Sequence, residues 1–259
     1  MTDDGPTLRV ERSCHVASIV IDRPPVNAVT PSMIEEFLAV IPEIARDGDI
    51  RCVILRGAGR FFIAGADIAI MRNLSRDNHL RMRRWIEVQR LLEQMPKPII
   101  AALNGHALGG GAEIALACDL RIMAESATFG FPEMQLGLFP GAGGSQRLPR
   151  LVGPHRAKRI MIDAERLSAA QALELGLVDR LVPDDRFDEA VAEQARRWAE
   201  KPTSAIGSLK GVVDAGYGRP IDEALSLEFD ALMTIIDTDD AAEGLQAFLD
   251  KRPPRFIGH

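Results

Sequence analysis

Apolar positions follow two rhythms along this chain. Up to about Pro183, short β-branched runs alternate with stretches of helical period; beyond it only the helical period remains. His15–Asp22 (HVASIVID) and Arg51–Gly57 (RCVILRG) have the length and composition of strands. Between them Thr30-Pro31 opens a helix, with threonine as cap and proline at the first helical position, which gives a ββα-like unit. The pattern then repeats. DNHLRMRRWIEVQRLLEQM predicts a long amphipathic helix, KPIIAALNG a buried strand, and GGGAEIALACDL a turn running into a helix that starts near Gly111. LRIMAE and ATFGFPE return as short strands. Past Pro183, DEAVAEQARRWAEKP, IDEALSLEFDALMTII and DDAAEGLQAFLDKR are helical, and ALSLEFDALMTII carries more apolar positions than a lone exposed helix would. Those faces need the core or a neighbouring subunit to cover them.

One stretch fits neither rhythm. Phe62–Met71, FIAGADIAIM, is apolar but carries Gly65 and Asp67, which suit neither a strand interior nor a helix interior. Its backbone, rather than its packing, asks for a task.

Composition narrows the field of tasks. At 259 residues, 46% hydrophobic and 26% charged, the chain has the make-up of an ordinary globular protein with a sizeable core. A net charge of -6 argues against nucleic acid or an anionic membrane as partner and in favour of a small molecule or another protein. Cys14, Cys52 and Cys118 are odd in number and far apart, so neither a disulfide framework nor a zinc site is expected, and a reducing, cytoplasmic setting is. No run of about 18 apolar residues occurs, and the acidic start and the terminal FIGH lead us to expect neither a signal peptide nor a peroxisomal address.

A second glycine-rich stretch has a similar character. In NGHALGGGAEIALACDL (Asn104–Leu120) a strand gives way to three glycines and a helix, so the Gly110 amide would lie near a helix N-terminus, where unpaired donors favour negative charge. A tight turn with small residues for close packing accounts for the glycines equally well. Dinucleotide and P-loop readings fail, the first on GxGxxG spacing and the second for want of GK[ST]. Two glutamates follow. Glu113 falls in the first turn of the helix, whose dipole favours its ionised form, and Glu133 follows Phe131-Pro132 in apolar company that favours the protonated form. Taken singly, either could be an ordinary solvated carboxylate, and only the fold could bring them together. His106 reads as a packed strand-end histidine and Asp67 as a helix cap.

Read together, RPPVNAV, FIAGADI, KPIIAALNGHALGGGAEIALACDLRIM, ATFGFPEMQLGLFPGAGGSQRLPRLVG, SAAQALELGLVD and DAAEGLQAFLDKR resemble the crotonase (enoyl-CoA hydratase/isomerase) superfamily over essentially the whole chain. The resemblance implies an α/β fold, a spiral of ββα units over residues 1–200 with a helical trimerisation region over 201–259, assembled as homotrimers or as hexamers made of paired trimers. It implies an acyl-CoA thioester as substrate, with no cofactor beyond the coenzyme A of the substrate and no metal. Backbone N–H groups at Ala64 and Gly110 would form the oxyanion hole for the thioester carbonyl. Glu113 and Glu133 would add water to a 2-enoyl thioester, the first assisting deprotonation and the second supplying a proton to the α-carbon. Val26, Ala66, Asp67, Ile68, Phe131 and Leu138 would line the substrate, and Lys251 and Arg252 would reach a CoA phosphate or remain a solvated helix end. The alternatives are a Δ3-Δ2-enoyl-CoA isomerase or another reaction through the same enolate, and a non-catalytic binding protein. Two departures stand out: Phe131 occupies a place where many short-chain hydratases carry glutamine, and RPPVNAV is one residue shorter than the commoner form.

Overall fold

The computed structural model describes residues 5–72 and 76–259. Its chain repeatedly lays a strand in one sheet, crosses to a second sheet, and returns by a helix. The hairpin β1 (Leu8–Ser13) and β2 (Val16–Ile21) starts the first sheet, turning on Cys14 and His15, both at positive φ as a two-residue hairpin loop requires. From β2 onward the sheet is parallel, through β3 (Cys52–Gly57), β5 (Ile99–Leu103), β7 (Leu120–Ala124) and β10 (Arg180–Val182). Covered on both faces, β3 and β5 are apolar along most of their length and show no alternation. The second sheet is shorter: β4 (Phe61–Ile63), β6 (His106–Leu108) and β8 (Thr128–Gly130) run parallel, and β9 (Arg166–Ser168) pairs antiparallel to β8.

Asparagines fix the crossings between sheets. Asn27 Nδ2 donates to the carbonyls of Ala58 and Phe61, and Asn104 accepts from the Gly57 N–H at 2.9 Å while donating to Gly59. Helix α1 (Pro31–Arg46) opens as the sequence indicates, with Thr30 Oγ1 accepting from the Met33 N–H and Pro31 at the first helical position. After β4 come α2 (Ile68–Arg72) and α3 (Arg76–Glu93); after β6, α4 (Gly110–Ala115); after β8, a 3-10 turn over Pro132–Leu136 and then α5 (Gly144–Val152) and α6 (Pro154–Ile162). The short α7 (Ala169–Glu174) leads to β10, and α8 (Phe187–Ala199) packs across β3. Helix α4 begins at Gly110 with Gly109 as its cap, one residue before the expected start.

Three helices close the chain: α9 (Thr203–Gly216), α10 (Ile221–Ile235) and α11 (Asp239–Leu249). The buried Arg51 at the foot of β3 ties this region to the sheets through the Lys201 and Phe256 carbonyls and Thr203 Oγ1. Helix α9 is also pinned by Lys210, which pairs with Asp119 at 2.7 Å. Helix α10 rests on α9 and buries none of its residues. Among the described residues, no helix is long and apolar enough to cross a membrane.

Candidate active site

The irregular stretch after β4 folds as a loop pinned from one side. Val29 N–H donates to the Gly65 carbonyl at 2.8 Å and Asp67 N–H donates to the Val29 carbonyl at 3.0 Å, a parallel bridge centred on Ala66. Peptide groups alternate in such a bridge, so the Ala66 N–H faces away from Val29. The Ala64 N–H is used internally, donating to the Val26 carbonyl at 3.1 Å. That contact corrects the expectation that Ala64 offers its amide to a ligand; the loop presents the amide of Ala66 instead. Gly65, at φ 109°, lets this loop lie against the glycine turn, where a Cβ would stand 3.4 Å from the Leu108 carbonyl oxygen and 3.9 Å from the Gly110 nitrogen.

Gly109 and Gly110 form the facing wall. The Gly109 N–H donates to the Gly130 carbonyl at 2.9 Å, and its φ of 53° turns the chain from β6 into α4. Behind it, the indole N–H of the buried Trp85 on α3 donates to the Gly110 carbonyl at 3.2 Å. The loop around Gly65 and the Gly109–Gly110 turn are therefore in direct contact.

Glu113, three residues into α4, is 3% exposed. Its Oε1 accepts from the Ala142 N–H at 2.8 Å and the Gly144 N–H at 2.9 Å. Burial nonetheless pushes its carboxyl above the usual range, with the two N–H donors and the Arg147 charge opposing the shift. The shift is upward, opposite to the direction expected of a first-turn glutamate, because desolvation outweighs the donors around it. Glu133 sits in the 3-10 turn after β8. Desolvation, joined by the nearby Glu113 carboxyl, pushes it up to about 7 against its own backbone N–H. Its Oε2 is buried without a hydrogen-bond partner among the described residues. Gly109 joins the two carboxylates: its carbonyl accepts from the Glu113 N–H at 2.9 Å, and a Cβ on it would lie 2.9 Å from Glu133 Oε1. The two glutamates thus meet around the glycine turn, as only the fold could arrange.

The remaining candidates separate by exposure. Ile68 and Leu138 are exposed, as are Met134, Leu136 and Phe139 close to Leu138 in the chain, while Val26 and Ala66 are half-buried. Phe131 has no exposed surface, stacks edge-on against Phe129 at 5.8 Å, and lies where a Cβ on Gly144 would come within 2.8 Å of its ring. It supports the site from beneath rather than lining it. Asp67 caps α2, accepting from the Ala69 and Ile70 N–H groups, and its other oxygen pairs with Arg23 at 3.1 Å. His106 packs against Phe61, meets Thr128 Oγ1 at 3.0 Å, and is held toward neutrality by burial, a structural histidine as expected. Arg252 is occupied by a bidentate pair with Glu243 that holds the glutamate down to about 2. Sequence reasoning missed the Ala142 and Gly144 amides, Trp85 and Arg147; the glycine-rich GAGGSQR segment was the one signal for the first two. Cavities of about 430 Å³ at Arg9, Arg56 and Asp188, and about 590 Å³ at Asp240 and Arg252, include neither glutamate.

With this geometry in place, similarity to known proteins becomes informative. The profile of the family described as enoyl-CoA hydratase/isomerase matches residues 11–259. A crotonyl-CoA hydratase of Syntrophomonas wolfei is 40% identical over 254 residues, covering 96% of each chain. A probable enoyl-CoA hydratase of Bacillus subtilis is 39% identical over 246 residues, covering 94% of this chain and 95% of that one. The crystal structure of an enoyl-CoA hydratase from Geobacillus kaustophilus superposes with a TM-score of 0.95 at 36% identity, covering 99% of this chain and 98% of the other.

Proposed function

The chain belongs to the enoyl-CoA hydratase/isomerase family, and from that premise we propose the reaction and the division of labour at its site. The protein is an enzyme that hydrates a 2-trans-enoyl-CoA to a 3-hydroxyacyl-CoA. The observation that carries the mechanism is the meeting of Glu113 and Glu133 around the Gly109–Gly110 turn.

In the proposed mechanism the thioester oxygen sits between the Ala66 and Gly110 amides. As water adds to C3, negative charge builds on that oxygen as an enolate, and fixed N–H donors stabilise it without reorganising; losing one such donor elsewhere costs roughly 10²–10³ in rate. Burial leaves both glutamates reluctant to ionise, so the pair holds its charge on the carboxylate with better partners. Glu113 has two backbone donors on Oε1, whereas Glu133 Oε2 has none. Glu113 therefore takes the proton from the attacking water, and Glu133, protonated below about 7, gives its proton to C2. The proton balance closes when one proton returns from Glu113 to Glu133. No redox step occurs and no cofactor is required. The exposed apolar side chains of Ile68 and Leu138 are suited to an acyl chain. The free cysteines fit a cytoplasmic setting, and the uncovered apolar helices at the C-terminus fit a homotrimer or a hexamer.

Hydration of crotonyl-CoA tests the assignment. Glu113→Gln and Glu133→Gln are each expected to lower kcat by at least about 10²-fold, with thioester binding by calorimetry preserved. A Glu113→Gln protein working at the wild-type rate would transfer the reading to a double-bond shift carried by Glu133 alone.

A further inference from the structure

Beneath the site lies a polar cluster that the reaction as described does not use. Arg147 of α5 is largely buried and all of its donor nitrogens are engaged: Nε and Nη2 meet the two oxygens of Glu93 at 2.6 and 2.9 Å, and Nη1 meets Gln89 Oε1 at 2.7 Å. Glu93 and Gln89 stand one helical turn apart on α3, and Gln89 is fully buried with its Nε2 unpartnered among the described residues. For stability alone this is a poor arrangement. With Glu93 partly open to solvent the ion pair returns modest net stability, and an amide nitrogen left without a partner among the described residues detracts from it.

Its position gives it a task. The guanidinium folds back over the start of its own helix, where a Cβ on Gly143 would run into Nη1, and the Arg147 N–H donates to the Gly143 carbonyl at 2.8 Å. Gly143 holds φ 114°, a conformation that aims the next amide, Gly144, at Glu113 Oε1. A Cβ on Gly144 would stand 3.1 Å from Glu113 Cγ, so this turn and the carboxylate are in direct contact. We propose that Arg147, clamped by Glu93 and Gln89, is a positioning residue for the hydration step: it fixes the Gly143–Gly144 turn that orients the Glu113 carboxylate, and places a positive charge behind that carboxylate. The inference rests on the reading of Glu113 as the group that deprotonates water.

Among the described residues, the charges bearing on the Glu113 carboxyl are Arg147 from α5 and Glu133 from the 3-10 turn, with Glu93 of α3 behind Arg147 and Asp214 of α9 behind Glu93. This arrangement gives two substitutions opposite signs. Arg147→Met removes a charge that favours ionised Glu113, so the acidic limb of kcat/KM moves to higher pH. Glu93→Gln leaves the Arg147 charge uncompensated and moves that limb to lower pH. A merely structural cluster would move neither limb, or both the same way. Arg147→Met should lower kcat by roughly 10- to 100-fold, the scale of a misplaced reacting group, with KM for crotonyl-CoA little changed. Arg147→Lys should keep the limb in place and recover part of the rate. The proposal falls if Arg147→Met hydrates at the wild-type rate or if the two limbs shift together. Should Arg147→Met lose its cooperative melt, the limb of Glu93→Gln decides: a shift to lower pH supports the proposal and an unmoved limb ends it. A wild-type protein inactive on crotonyl-CoA would overturn the hydratase reading and this inference with it, whereas an active wild type with unresponsive variants overturns this inference alone.

Discussion

Glu133 takes up its proton differently in the folded and the unfolded chain, and that difference links the site to stability. With the carboxyl pushed from 4.5 to about 7 on folding, the folded state binds more protons than the unfolded state throughout that window. Stability from this group is therefore lost as pH rises from about 4.5 through 7. Glutamine has no charge to desolvate, so Glu133→Gln should melt higher than wild type at pH 8, with the difference closing at or below pH 4.5. Thermal melts at the two pH values check this, and a difference that does not grow with pH would refute it. The same residues show how far a sequence can be read. Glu113 and Glu133 were identifiable as candidates, but their meeting was not, since about twenty positions separate them and no single helix face holds both. The loop motif pointed to Ala64, whose amide the fold engages with the Val26 carbonyl. Which of Ala64 and Ala66 faces outward depends on the Val29 bridge, a long-range pairing that leaves no local mark in the chain.

At the scale of elements, legibility followed length and burial. Strands β2, β3, β5 and β7 are apolar runs of five or six residues and were plain. Strands β4 and β6, at three residues, are too short to carry a period, and β1 shows none because all but its first residue are exposed. Helix α4 was legible as a helix, but its first residue depended on the positive φ of Gly109. That first residue permits a clean separation of backbone donor from backbone shape. Gly110 is the first helical position, where proline keeps the helical backbone and removes the N–H, while its Cβ meets Trp85 just as the Cβ of alanine does. Gly110→Pro should thus fold yet turn over no enoyl-CoA. Gly110→Ala keeps the donor and asks the Trp85 indole, 3.2 Å from the new Cβ, to give by a few tenths of an ångström, so it should retain turnover. Circular dichroism and kcat on crotonyl-CoA together decide the matter: a folded proline variant with near wild-type kcat would remove Gly110 from the oxyanion hole.

For the whole molecule, the informative feature is what one chain leaves uncovered. Along α10 and its C-cap, Leu225, Phe229, Leu232 and Ile236 recur at helical spacing as one apolar stripe, and each is at least half exposed. Leu209 and Val213 of α9 are likewise exposed, and on α11 Phe248 reaches 83%. An isolated globular chain rarely leaves so many large apolar side chains exposed on successive helices, and this exposure motivates the expectation of a subunit contact. The pattern was legible in ALSLEFDALMTII because the surplus of apolar positions is local to the helix, whereas what covers it is not written in the helix itself. We expect light scattering at micromolar concentration to give three or six times the mass of one chain, and the melting temperature to rise with protein concentration, since association stabilises only the folded subunit. A double variant, Leu225→Glu with Phe229→Glu, places two charges on the stripe at positions that are exposed in the single chain. It should therefore lower the assembled mass while leaving the far-ultraviolet circular dichroism of the subunit intact. A wild-type protein that scatters as a monomer, or a variant that assembles as wild type does, would show that the stripe on α10 is not the contact.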